Sequence, residues 1–129
     1  MFFYGTLMSG FERPGRARLD ALLEPLGRGW IRASLFDLGI YPAAIPSSDS
    51  RVSGEVHRMR DVDAVLAALD EIEGYRPAEP DASLYTRVET DVTFTDGRAA
   101  TAWAYFYNAP LGGAQRIESG DYLEHLRVK

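Results

Sequence analysis

The chain has 129 residues, a formal net charge of −5 and no cysteine. This length predicts one domain, residues 1–129, that can bury a sizeable core. The negative charge disfavours nucleic acid or an anionic membrane as the main partner. The lack of cysteine excludes disulfides, thiolate catalysis and soft metal sites. No stretch approaches the roughly 20 apolar residues of a membrane-spanning helix, so we expect a cytoplasmic protein. Its oligomeric state stays open.

The first half of the chain contains signals for strands and one helix. Residues 2–4 predict a short buried strand. A helical stripe follows, ended by Gly27 and Gly29, and its members are Leu19, Leu22, Leu23 and Leu26. Residues 30–39 predict a strand, whereas the two prolines and the serines of residues 40–50 predict a sheet edge or a loop. Residues 51–59 alternate, which predicts a strand with Val52 and Val56 inward and His57 outward.

The second half adds a helix and a hairpin. Aspartates begin the segment "DVDAVLAALDEIEG" and Gly74 ends it, as is typical of a helix. Two alternating runs joined by Asp96-Gly97 predict a β-hairpin, and the tail predicts a short last element. Many strands with hairpin connections indicate an α+β fold with a mainly antiparallel, barrel-like sheet.

One carboxylate of the second helix lies on its apolar side. At about 100° per residue, Glu73 falls within the stripe formed by Val65 and Leu69, Glu71 falls opposite, and Asp70 falls near the edge. Carboxylates are rarely buried without a partner or a function. Glu73 is therefore either freed to water by fraying at Gly74, or a base that lines a cavity, its pKa raised by partial burial.

Other polar residues give weaker signals. His57 and His125 are too few and too scattered for a metal site, and each is interpreted as a structural histidine without a role in chemistry. The arginines at positions 13, 16 and 18 are interpreted as solvated. Trp103, Tyr105 and Tyr107 share a strand face and are interpreted mainly as core aromatics. Arg87 is expected to pair with an acidic neighbour.

Six motifs occur in a recognisable order: "FFYGTL" at the start, "YP" at 41–42, "VSGEV" at 52–56, "LDEIEGY" at 69–75, "LYTR" at 84–87 and "AWAYFY" at 102–107. With this order the sequence resembles the gamma-glutamylcyclotransferase-like family, also named after the plant avirulence-induced proteins. The resemblance covers nearly the whole chain, and "YGTL" and "LDEIEGY" are its most specific parts. It implies an α+β domain with a twisted, barrel-like sheet and two main helices.

The resemblance also implies a site and a reaction. Glu73 corresponds to the family's general base. The "YGTL" segment corresponds to a nest of backbone N–H groups that binds substrate, and Tyr85 to a position near the cavity; the segment consists of Tyr4, Gly5, Thr6 and Leu7. The implied reaction is an intramolecular acyl transfer. It releases the amine or amino acid of a small gamma-glutamyl compound and forms 5-oxoproline, without cofactor or metal.

The alternative is a non-catalytic ligand-binding or accessory domain of the same fold, as in allophanate hydrolase. Glu73 favours the enzyme, because an unpaired buried carboxylate costs stability and a binding module has no reason to keep it. The identity of the leaving amine stays open.

Overall fold

The computed structural model describes residues 1–8 and 19–127. Its strands are β1 (Phe2–Phe3), β2 (Leu23–Asp37), β3 (Pro42–Met59), β4 (Tyr85–Phe94), β5 (Ala99–Tyr107) and β6 (Gln115–Ile117). Helix α1 (Val62–Glu73) follows β3, a 3₁₀ turn occupies Pro80–Ala82, and helix α2 (Tyr122–Arg127) follows β6. Within the described residues, every helix is too short or too polar to cross a lipid bilayer. The predicted α+β class is confirmed.

The strands form one antiparallel sheet in the order β1-β3-β2-β4-β5, and β6 pairs with the far end of β2. Strand β5 also contacts β1 and β3. The Tyr4 hydroxyl, just after β1, donates to the Tyr105 carbonyl on β5 at 2.6 Å. The described strands thus curl toward a barrel, although no ladder between β1 and β5 closes it. The end of β1 therefore lies beside the second half of β5.

Helix α1 begins and ends at the predicted residues. The Asp61 side chain accepts a hydrogen bond from the Ala64 N–H at 3.2 Å, which caps the amino end. Gly74 ends the helix in the left-handed conformation, with φ +69°. Val65 and Leu69 are fully buried against the sheet. This packing fixes the carboxyl end of α1, which carries Glu73, beside the strand ends.

The predicted hairpin is also confirmed. Strands β4 and β5 pair from Tyr85 opposite Tyr107 to Thr93 opposite Ala99. Gly97 lies in the connecting turn with φ +93°, a conformation that glycine adopts without strain.

The predicted first helix is wrong beyond Asp20. Leu19 and Asp20 are helical, but the chain then turns and Leu23 begins β2. Gly27 and Gly29, predicted to end the helix, lie within this strand. The leucine spacing is misleading because Leu23 pairs with Met59 and a bulge at Leu26 breaks the strand's alternation. Residues 9–18, which contain the start of the predicted helix and the three arginines, lie outside the described residues.

The segment predicted as edge or loop is the first part of β3, so the loop interpretation is wrong. Pro42–Pro46 pairs with Asp37–Ala33 of β2. The register shifts after Pro46, and residues 47–50 bulge out before Arg51 resumes the ladder. The two prolines thus stand at the strand start and at a bulge, where a missing N–H costs little. His57, predicted to face outward, is buried because the Met1 backbone pairs beside it at 2.9 Å.

The close approach of β1 to β3 gives a first prediction. A Cβ on Gly54 would lie 2.2 Å from the Phe3 carbonyl oxygen and 2.7 Å from the Phe2 ring. We expect Gly54→Ala to lower the free energy of unfolding by about 1–3 kcal/mol or more, because backbone has to move. Gly113→Ala is the control, since an added Cβ there meets nothing within 4 Å. Urea denaturation measures both, and equal stabilities of the two variants would contradict the packing.

Candidate functional site

A cavity of about 310 Å³ opens where the end of β1, the start of β3, the carboxyl end of α1 and the start of β4 meet. Every residue predicted for the site lines it: Tyr4, Gly5, Thr6, Leu7, Glu73 and Tyr85. Its other lining residues are Phe2, Phe3, Tyr41, Pro42, Glu71, Ile72, Gly74, Leu84 and Tyr105. The fold therefore brings together two motifs that are more than 60 positions apart in the sequence.

The segment after β1 is a tight turn. The Met8 N–H donates to the Gly5 carbonyl at 3.0 Å, which closes the turn over residues 5–8. A Cβ on Gly5 would lie 2.7 Å from Cγ of Pro42. Glycine is therefore required because this turn packs directly on the start of β3. The binding of a substrate by its N–H groups stays a prediction.

Glu73 occupies the last position of α1 and is half-buried, whereas Glu71 is exposed. At about 100° per residue, Glu73 projects between the directions of Leu69 and Asp70, which are both buried. The predicted orientation of Glu73 toward the interior is thus confirmed, and its side chain lines the cavity.

Four tyrosines line the cavity, and the hydroxyls of three of them already donate to a protein acceptor. Tyr4 donates to the Tyr105 carbonyl at 2.6 Å, and Tyr85 donates to the Pro42 carbonyl at 3.0 Å. The Tyr105 hydroxyl donates to Oδ1 of Asp70 at 2.6 Å. These side chains shape and brace the cavity, and their hydroxyl protons are directed at the protein.

Asp70 is a buried carboxylate whose position the sequence did not reveal. Its exposed fraction is 8%. Besides the Tyr105 hydroxyl, Nε of Arg87 lies 3.0 Å from Oδ1. The Arg87 Nε–H is not aligned for a hydrogen bond to that oxygen, so the contact is an ion pair. The guanidinium also lies 4.9 Å from the Trp103 ring centre and 5.6 Å from that of Tyr75. The expected acidic partner of Arg87 is thus Asp70, one helical turn before Glu73.

The family model for gamma-glutamyl cyclotransferase, AIG2-like, matches residues 1–124 of the chain. The chain is a member of this gamma-glutamylcyclotransferase family. It is 37% identical over 125 residues to the Escherichia coli K12 gamma-glutamylcyclotransferase family protein YtfP, covering 96% of both chains. The solution structure of Escherichia coli ytfP superimposes with a TM-score of 0.68 at 32% identity, covering 100% of this chain and 98% of that one. A Pyrococcus horikoshii protein structure gives a TM-score of 0.67 at 26% identity, covering 98% and 95%.

Two cavity tyrosines of this gamma-glutamylcyclotransferase family member are strongly held in the neutral form. Burial raises the pKa of Tyr4 well above its usual value of 10.0, and the charges of Tyr85 and Glu73 add to this. Burial also raises the pKa of Tyr105, together with its hydrogen bond to Asp70. The charge of Glu73 adds to the rise in both pKa values.

These shifts predict an alkaline loss of stability. A folded-state pKa above the unfolded value means that the folded state binds more protons once the pH exceeds about 10. The stabilisation is complete below that pH and is lost as the pH rises further. We expect tyrosinate absorbance from Tyr4 and Tyr105 to appear only with alkaline unfolding, and Tyr105→Phe to weaken the pH dependence. Titration of all seven tyrosines near pH 10 with the fold intact would contradict this.

The two histidines lie outside the cavity lining. His57 is buried, with Nε2 3.1 Å from Oε1 of Glu55. Nε2 of His125 lies 2.7 Å from Oδ2 of Asp37. Within residues 1–8 and 19–127, no group of three or more His, Asp or Glu side chains is arranged to hold a metal ion.

Proposed function

We propose that this protein is a gamma-glutamylcyclotransferase that converts a small gamma-glutamyl amine or amino acid into 5-oxoproline and the free amine. One observation carries the proposal: Glu73 and the turn of Gly5, Thr6 and Leu7 line the same cavity. This intramolecular acyl transfer requires a base and anion-binding donors at one site, and in our proposal Glu73 and the turn supply them.

The substrate carries its own nucleophile. Its α-amino nitrogen attacks the γ-carbonyl carbon, a new C–N bond closes a five-membered ring, and the original amide C–N bond breaks. Intramolecular attack in the right geometry lowers the activation barrier by up to about 7–11 kcal/mol. The main task of the protein is then to fold the substrate back on itself and move protons.

In this proposal, Glu73 is the group that accepts and donates the proton. Its carboxylate removes a proton from the α-ammonium, which frees the nitrogen lone pair for attack. The same proton then passes from the carboxyl group to the departing amine, and the ring nitrogen loses its second proton to the released amine. Glu73 therefore ends the cycle ionised, and the amine leaves as an ammonium ion. A base that lines the cavity and is half-buried is partly shielded from water, which suits transfer to and from a bound substrate.

In this proposal, backbone N–H groups bind the two anionic parts of the substrate. The hydroxyls of Tyr4, Tyr85 and Tyr105 donate to protein acceptors, so recruiting one to the γ-oxyanion would break an existing bond. Nests of backbone N–H groups bind anions, and Gly5, Thr6 and Leu7 line the cavity in the turn over residues 5–8. We expect the α-carboxylate to bind at Gly5, Thr6 and Leu7, which a structure with 5-oxoproline bound would test.

The activity itself is tested with a panel of gamma-glutamyl compounds assayed for 5-oxoproline. We expect at least one member of the panel to be converted, with free amine released in equal amount. A panel in which no compound yields 5-oxoproline, although compounds bind in the cavity, would favour the non-catalytic binding domain.

A further inference from the structure

Part of the mouth of the cavity is apolar. Seven large apolar side chains are exposed in the described residues, and two of them line this cavity: Leu84, 50% exposed, and Tyr41, 38% exposed. A third, Ile40, is 75% exposed and directly precedes Tyr41 in the turn between β2 and β3. We call Ile40, Tyr41 and Leu84 the apolar mouth. Exposed apolar surface of this kind favours ligand binding, because a ligand that covers it removes it from water.

The backbone around the apolar mouth is firmly held. The Leu84 N–H donates to the Gly74 carbonyl at 3.1 Å, and the Leu84 carbonyl accepts from the Asn108 N–H at 2.9 Å. The Tyr41 carbonyl accepts from the Leu38 N–H at 3.0 Å, which closes the turn. These positions are therefore already ordered before a ligand binds, and binding loses no affinity to ordering the backbone there.

A hydrogen bond connects the segment of Leu84 with the segment of Tyr41. Tyr85, which follows Leu84, donates its hydroxyl to the carbonyl of Pro42, which follows Tyr41. This hydrogen bond holds the segments that carry Tyr41 and Leu84 together, and both residues line the cavity, whereas its lining residues Tyr4, Leu7 and Tyr105 are buried. A substrate whose γ-carbonyl lies near Glu73 would extend its amine half past Tyr41 and Leu84.

Charge at the mouth favours a neutral amine half. Glu71 is exposed and lines the cavity together with Glu73, so a carboxylate on the amine half would be repelled. A cation would meet the hydrated Glu71, and such exposed pairs change affinity by a few-fold at most. Each buried methylene group raises the affinity about fourfold, so an apolar chain of several carbons raises the affinity more than a cation does.

We propose that the apolar mouth is the subsite for the amine half, and that it selects gamma-glutamyl derivatives of apolar amines. This inference rests on the proposed function for the placement of the glutamyl half. It adds the chemical class of the leaving group.

Three gamma-glutamyl compounds of matched shape test the selection. Their amine halves are n-pentylamine, 1,4-diaminobutane and norleucine. The second replaces the terminal methyl group with an ammonium, and the third adds an α-carboxylate to the same carbon chain. We measure dissociation constants by calorimetry with the wild type and, where turnover interferes, with Glu73→Gln. We expect the n-pentylamine compound to bind about tenfold more tightly than the other two, because they place a charge against the apolar mouth.

Two variants locate the selection. Leu84→Asn replaces an exposed leucine with a polar side chain of similar shape and should weaken binding of the n-pentylamine compound by about three- to tenfold. Val88→Thr makes the matched change at an exposed valine outside the cavity and should leave binding unchanged. Equal or reversed affinities, no binding of any compound, or an unaffected Leu84→Asn would overturn the inference. The expected order of affinities without 5-oxoproline formation would instead reject the proposed reaction and leave the subsite standing.

Discussion

Replacing Glu73 with glutamine is expected to lower kcat by about 10²–10⁴-fold, the usual contribution of a general base. Glutamine keeps the shape of the side chain but cannot accept the proton of the α-ammonium. Glu73 is the carboxylate of α1 that is half-buried and lines the cavity beside Tyr4 and Tyr105. Steady-state kinetics with a converted gamma-glutamyl compound measures the loss, and calorimetry should show that the variant still binds it.

Glu71→Gln is the matched control, because Glu71 is two residues away on α1 and also lines the cavity, but is exposed to solvent. It should retain most of the wild-type kcat. Thermal denaturation should show that Glu73→Gln stays folded, so that the loss of kcat reports on the chemistry. Retention by Glu73→Gln of more than about a tenth of wild-type activity would contradict its role as the base.

Replacing Arg87 with alanine is expected to lower the free energy of unfolding by about 3 kcal/mol. This is the low end of the range for breaking a buried ion pair, because both side chains keep some contact with solvent. The loss arises because Asp70 would stay buried with the Tyr105 hydroxyl but without its cationic partner. Contacts of the guanidinium with Trp103 and Tyr75 would be lost as well. Urea denaturation measures the change.

The ion pair of Arg58 with Glu24 provides the control, since both side chains are exposed. Arg58→Ala should cost less than about 1 kcal/mol. The double variant Asp70→Asn/Arg87→Met should recover part of the stability lost in Arg87→Ala, because it leaves no uncompensated charge. An Arg87→Ala protein as stable as Arg58→Ala would show that Asp70 does not depend on Arg87.

The sequence predicted those parts of the fold whose signals are local. The cap at Asp61, the left-handed Gly74 and the turn at Gly97 are determined by residues next to one another in the chain. The orientation of Glu73 followed from the helical period alone. The family resemblance then placed the turn of residues 4–7 and Tyr85 at the same cavity as Glu73, which the structure confirms.

Features set by distant partners were missed. The helical leucine spacing before Leu26 was overridden because β2 pairs with β3 along most of its length. Asp70 was placed near the edge of the helical stripe, but Arg87 and Tyr105, from two other strands, bury it. Glycine at position 5 suggested a close approach, and only the structure shows that its neighbour is Pro42. The sequence held one signal that Asp70 lies near the site: it is next to Leu69 of the apolar stripe and one helical turn before Glu73.

Product analysis in water enriched in heavy oxygen tests the central claim most directly. The wild type and Glu73→Gln are each incubated with gamma-glutamyl-n-pentylamine, and the products are quantified by mass spectrometry. The proposed mechanism predicts unlabelled 5-oxoproline and pentylamine in equal amounts from the wild type, because the α-amino group rather than water attacks the γ-carbonyl. It predicts almost none from Glu73→Gln. Labelled glutamate as the main product, or 5-oxoproline formed equally fast by both proteins, would contradict it.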